Sequence, residues 1–137
     1  MISHPYLRAY LAGIAVPTAF LLVPLAAVVT GHVRGGLPVA VERLLVFPMA
    51  VVPNLWGLWN VLYVAIRRRG AGWPVGPHGA LLPFLLLPAG IVLAHLLGVE
   101  VYTPFRVAII FPVALIVYYI VWKHLVSFLN RLVGVDS

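Results

Sequence analysis

Pro53-Asn54-Leu55-Trp56-Gly57-Leu58-Trp59-Asn60-Val61-Leu62-Tyr63 is the segment richest in side chains that can bind as well as pack. At about 100° per residue, Trp56, Trp59, Asn60 and Tyr63 share one broad helical face, and Ala50, Pro53, Asn54, Gly57 and Asn60 form an adjoining small and polar one. Indole and carboxamide groups set among apolar carbons suit two kinds of chemistry. They can line a pocket for an apolar or aromatic molecule and supply its hydrogen bonds. They can also fasten one helix to another, where an Asn amide in lipid contributes ~0.6–2 kcal/mol and small residues allow close backbone approach. Asn54, Trp56, Trp59 and Asn60, with His95 and Tyr118 from elsewhere in the chain, are therefore candidates for a ligand pocket or a packing surface, with packing favoured.

Glu42, Arg43, Glu100 and Arg106 form a second constellation, expected near one membrane face. Glu42 with Arg106, or Glu100 with Arg43, would pair across helix ends for ~0–1 kcal/mol. Ordinary interfacial charge is favoured over a charged vestibule. His95 is the histidine set well inside an apolar run, and His32 can reach a similar depth, so a bis-histidine haem is geometrically conceivable. No spacing supports it, and a lone His95 bonded to backbone or to Glu100 is the preferred reading; no cofactor is expected. His4, His78 and His124 fall on the opposite side without metal-ligand spacing. With no cysteine, thiolate nucleophiles, disulfides and thiolate metal sites are excluded together. No Asp or Glu lies inside an apolar run, which disfavours a proton-coupled exporter built on an intramembrane carboxylate. No Ser/His/acid array or Gly-rich phosphate loop is present, so a membrane-embedded enzyme ranks third among the functional readings.

Four long apolar stretches must position these groups. Hydrophobic residues make up 64% of the 137-residue chain and charged residues 9%, against ~45–50% and ~25% in soluble domains. An all-α integral membrane protein is expected, its four transmembrane helices at approximately 8–30, 43–66, 80–98 and 104–127 in one compact, proline-kinked bundle. The charge-free core of the fourth, 107–122, reaches only ~24 Å at 1.5 Å per residue. Arg106 and Lys123 are therefore expected to snorkel to the two interfaces. Helix 1 is expected to end near Thr30, with 31–38 as one loop and 71–79 as another, both rich in Gly and Pro. The first run exceeds the ~7–15 residues of a signal-peptide core and contains Pro17 and Pro24, so it reads as a span.

The net charge of +6 is spread over helix ends, which argues against nucleic acid. A cytoplasmic N-terminus puts Arg8, Arg67, Arg68, Arg69, Lys123 and Arg131 inside, against Arg34, Arg43 and Arg106 outside, so both termini are expected in the cytoplasm. Prolines at 17, 24, 48, 53, 83, 88 and 112 should bend the spans, because each interior proline removes a helix hydrogen bond and crowds the carbonyl four residues earlier.

The stretch from Pro53 to Tyr63 resembles the Trp- and Pro-rich helix of the tryptophan-rich sensory protein/translocator family, whose members bind porphyrins and sterols. The resemblance covers these eleven residues, and that family has five spans where four are read here, so no site or activity follows from it. Taken together, the residues predict a non-enzymatic membrane component, an oligomeric module or partner subunit whose partners are lipid, itself or other membrane chains. The alternative is a channel, carrier or binding protein for a small apolar or amphipathic ligand.

Overall fold

The computed structural model describes residues 4–36, 46–98 and 103–135, and every regular element among them is helical. Four helices are long and apolar enough to cross a membrane: α1 (Pro5–Gly35), α2 (Phe47–Arg68), α3 (Val75–Leu96) and α4 (Pro104–Leu132).

Two boundaries differ from the reading of the sequence, each for a local reason. Helix α1 continues through Gly31 and His32 because Gly36 is the glycine that turns left-handed (φ 62°), its N–H closing on the His32 carbonyl at 3.2 Å. Helix α3 starts at Val75, inside the segment expected to be a loop. Pro74 is extended and caps it, and Pro77 falls in the first turn, where a backbone N–H has no helical partner to lose. A break follows at Leu81 and Leu82, bridged by the three-residue bonds Leu82 N to Gly79 O (3.0 Å) and Phe84 N to Leu81 O (3.1 Å), before the helix resumes at Pro83.

The tightest packing joins α1 to α2. Ala9, Ala12, Gly13 and Val16 follow the i, i+3, i+4, i+7 pattern and are all buried. A Cβ added to Gly13 would lie 2.7 Å from the Trp56 carbonyl oxygen and 2.9 Å from the Gly57 Cα, so the two backbones are in contact there. Helix α4 contributes Trp122, Val126 and Asn130, all buried. A four-residue spacing drifts around an ordinary α-helix; here the π-helical turn Trp122–Val126, which rotates less per residue, keeps the three on one side.

Arg8 Nη1 donates to the Val133 carbonyl at 3.4 Å, and the Arg68 guanidinium lies 5.9 Å from the centre of the Tyr6 ring. The start of α1 and the ends of α2 and α4 therefore share one basic end, and successive helices alternate in direction. The core gathers toward that end. Buried residues of α1 stop at Pro17, and those of α4 begin only at Trp122. The opposite half exposes apolar side chains such as Val23 and Ile110, a surface that suits hydrocarbon rather than water.

Candidate functional site

Asn60 is fully buried at the α1/α2 crossing and makes three hydrogen bonds. Its Nδ2 donates to the Ala9 carbonyl and to Asn130 Oδ1, both at 2.7 Å, and its Oδ1 accepts from Asn130 Nδ2 at 2.9 Å. A reciprocal amide pair of this kind satisfies two polar groups in an apolar interior and ties α1, α2 and α4 together. Six residues earlier on α2, Asn54 donates from Nδ2 to the Ala50 carbonyl at 2.6 Å and accepts a hydrogen bond from the Tyr10 hydroxyl. The Tyr10 ring covers Gly57, where an added Cβ would come within 2.6 Å of it.

The aromatic side chains converge on His78, which is 2% exposed. Its ring stacks on Trp59 with centroids 4.9 Å apart at 25°, and lies 5.3 Å from the Tyr63 ring and 5.7 Å from that of Trp122. His78 and Trp59 exchange two hydrogen bonds: the Trp59 indole N–H donates to the His78 carbonyl at 2.8 Å, and His78 Nε2 lies 2.9 Å from the Trp59 carbonyl. A carbonyl only accepts, so Nε2 carries a proton. Gly79 makes this approach possible, since a Cβ there would overlap the Trp122 indole. Trp56 joins the cluster through Trp122, at 5.3 Å, and through Tyr118, whose hydroxyl accepts from the Trp56 indole at 3.3 Å. Trp122 Nε1 is buried with no partner among the described residues.

Two apolar clefts open beside this cluster, toward the half of the molecule away from the basic end. The larger, about 490 Å³, lies between α2, α3 and α4 and is lined by side chains including Phe47, Val52, Leu86, Leu87, Ile110 and Tyr118. Arg106 is the only charged residue among its described lining. The smaller, about 240 Å³, lies between α1, α2 and α4 and includes Val16, Phe20 and Val121. Val52 and Tyr118 border both and act as the partition.

Of the candidates chosen from the sequence, Trp56 and Tyr118 meet directly, whereas Trp59 turns to His78, Asn60 to Ala9 and Asn130, and Asn54 to Tyr10 of α1. Tyr118 lines the large cleft; Trp56 lies behind it and lines the smaller one. His95 is exposed near the end of α3, and His32 is exposed near the end of α1. Glu42, Arg43 and Glu100 lie outside the described residues, so of the charge cluster only Arg106 is placed. No group of three or more His, Asp or Glu side chains able to hold a metal occurs among the described residues. His78, Tyr10 and Asn130 escaped the sequence reading. The available signals were the glycines at 76 and 79 flanking His78, and the four-residue spacing from Tyr118 through Trp122 and Val126 to Asn130.

The all-helical fold and its four apolar helices define a class of protein, and comparison adds no narrower identity. No family model, curated protein or solved structure matches the chain.

Proposed function

We propose that this chain is a non-enzymatic, multi-pass membrane protein that holds a small apolar or amphipathic molecule in the cleft between α2, α3 and α4. The cleft itself carries the reading: about 490 Å³ falls within the ~300–1,000 Å³ typical of ligand sites, and three helices contribute to its walls. The Asn and Trp groups on α2 act as the frame that ties the helices together beside the cleft. Asn60 is occupied by Ala9 and Asn130, and Trp56 by Tyr118, which leaves the apolar lining to do the binding. Both termini are cytoplasmic, in keeping with Arg8, Arg67, Arg68, Arg69 and Arg131 at the basic end. The helices bend at their interior prolines, Pro17, Pro24, Pro88 and Pro112, and so spread away from the packed end.

Native mass spectrometry of the chain released gently from its own membrane tests the reading. A retained apolar or amphipathic molecule is expected, with its occupancy reduced when Leu87→Trp fills the cleft. Release without any bound molecule, from wild type and variant alike, would count against it.

A second reading, assembly with itself or with other membrane chains, draws on α4, which buries no side chain between Pro104 and Val121. The same spectra record chain number. A defined oligomer or heteromer without ligand would favour this reading.

A further inference from the structure

We infer that the side of α2 opposite the clefts is a contact with a second copy of this chain, in which Asn54 pairs its carboxamide with Asn54 of the other copy across a two-fold axis. This goes beyond the ligand-binding reading and uses a different side of the molecule.

The argument begins with a polar group in the wrong solvent. Asn54 is exposed, and it lies thirteen residues from Arg67, about 20 Å along α2 at 1.5 Å per residue. That depth falls inside the ~30 Å hydrocarbon layer rather than at its headgroups. Within the chain, Asn54 spends one N–H on the Ala50 carbonyl and accepts from the Tyr10 hydroxyl. An amide nitrogen carries two N–H groups, and the second has no partner among the described residues. Hydrocarbon offers no acceptor, so a protein group must supply one. The exposed Ile109, Val113, Ile116 and Ile120 of α4 set no such demand, because lipid tails are as apolar as they are.

The chemistry of the carboxamide selects the partner. Each amide has both a donor and an acceptor to offer, so two of them can pair reciprocally, as Asn60 and Asn130 do inside this chain. Copies inserted in one membrane with the same orientation are related by an axis along the bilayer normal. At that axis each residue meets its own counterpart at its own depth, which a different chain would have to match by design. The surroundings permit the approach. Ala50, Asn54, Leu58 and Leu62 recur every four residues as one exposed ridge of α2, and its smallest side chain, Ala50, is one turn from Asn54. Val52 and Trp56, which line the clefts, are each two residues from Asn54 and so nearly opposite it on the helix. The contact therefore leaves both clefts open.

The test follows self-association of the full chain in liposomes of zwitterionic lipid, read by energy transfer between fluorophores at the C-terminus as added lipid dilutes the protein. Wild type is expected to associate, and Asn54→Leu to raise the dissociation constant roughly tenfold. Tyr10→Phe removes an intrachain partner of Asn54 but spares its free N–H, and should leave association within about twofold of wild type. A second measurement needs no change at Asn54. The chain has no cysteine, so a single introduced one reports on one position. Oxidation is expected to join Ala50→Cys and Leu58→Cys, one turn either side of Asn54, into dimers, and to leave Ile109→Cys and Ile116→Cys on α4 monomeric. Absence of association in wild type, association unaffected by Asn54→Leu, or crosslinking at the α4 positions instead of those on α2 would each overturn the inference. In the protein's own membrane, oxidation that joins Ala50→Cys to a different chain rather than to itself would overturn the assignment to a second copy. None of these outcomes touches the ligand-binding reading, which stands or falls on retention of a molecule in the cleft.

Discussion

Asn60 and Asn130, seventy residues apart, exchange their amide hydrogen bonds at 2.7 and 2.9 Å in a fully buried position between α2 and α4. Each satisfies the other, and Asn60 has a further N–H left for the Ala9 carbonyl. The pair therefore fixes the rotation of α2 and α4 about their axes while α1 is held by the remaining donor.

Replacing one member strands the other in an apolar interior. Asn130→Leu is expected to destabilise the protein by ~1–3 kcal/mol. The double variant Asn60→Leu/Asn130→Leu should cost less than the sum of the two single changes, with a coupling between about 0.6 and about 1.7 kcal/mol, the average and the maximum for interhelical bonds in membranes. Reversible unfolding in mixed micelles measures all three.

Gly13 and Gly57 face each other's helices but meet different obstacles. At Gly13 an added methyl runs into the Trp56 carbonyl and the Gly57 backbone, which cannot swing away; at Gly57 its nearest neighbours are ring atoms of Tyr10, whose own backbone carbonyl is further off at 3.1 Å. Gly13→Ala should cost ~1–3 kcal/mol by forcing the helices apart, and Gly57→Ala should cost less. Thermal unfolding of the two variants in the same detergent checks the order.

Gly79 lies directly beneath the Trp122 indole, which is fully buried and has nowhere to move. Gly79→Ala is expected to destabilise by about 1–3 kcal/mol. In a Trp122→Leu background, which frees the space, the same change should be nearly silent. An additive pair of effects would mean that the two side chains do not compete for the same volume.

Ala114 stands on the α4 wall of the large cleft. Ala114→Trp is expected to lower saturable labelling of the cleft by a photoactivatable long-chain alkyl probe by roughly tenfold, equivalent to ~1.4 kcal/mol of binding. Leu21→Trp, which fills the smaller cleft, should leave that labelling within about twofold of wild type, a difference well under 1.4 kcal/mol.

Composition and hydropathy were sufficient for the four long apolar helices, because a run of some twenty uncharged, apolar residues has few other stable forms. The periodicity of α2 likewise marked Trp56, Asn60 and Tyr63 as one face, and all three are buried. The ends of the helices were less legible. Gly31 and Gly36 are the same residue type, and only the backbone at Gly36 takes the left-handed turn that ends α1. His78 was hidden for a similar reason: Pro74 and Pro77 look like loop residues in sequence, yet they sit where the first turn of a helix tolerates proline.

What the chain determines alone is thus local: which segments are helical, how long they are, and which faces are small, polar or aromatic. The partners were decided by tertiary structure. That Asn60 meets Asn130, that Tyr10 covers Gly57, and that Trp59 stacks on His78 depend on how the helices cross and rotate. Those angles come from small backbone contacts, a π-helical turn and the fit of indoles over glycines, none of which follows the ordinary helical period. The large cleft has the same origin, as the space remaining between α2, α3 and α4 where the packed core ends.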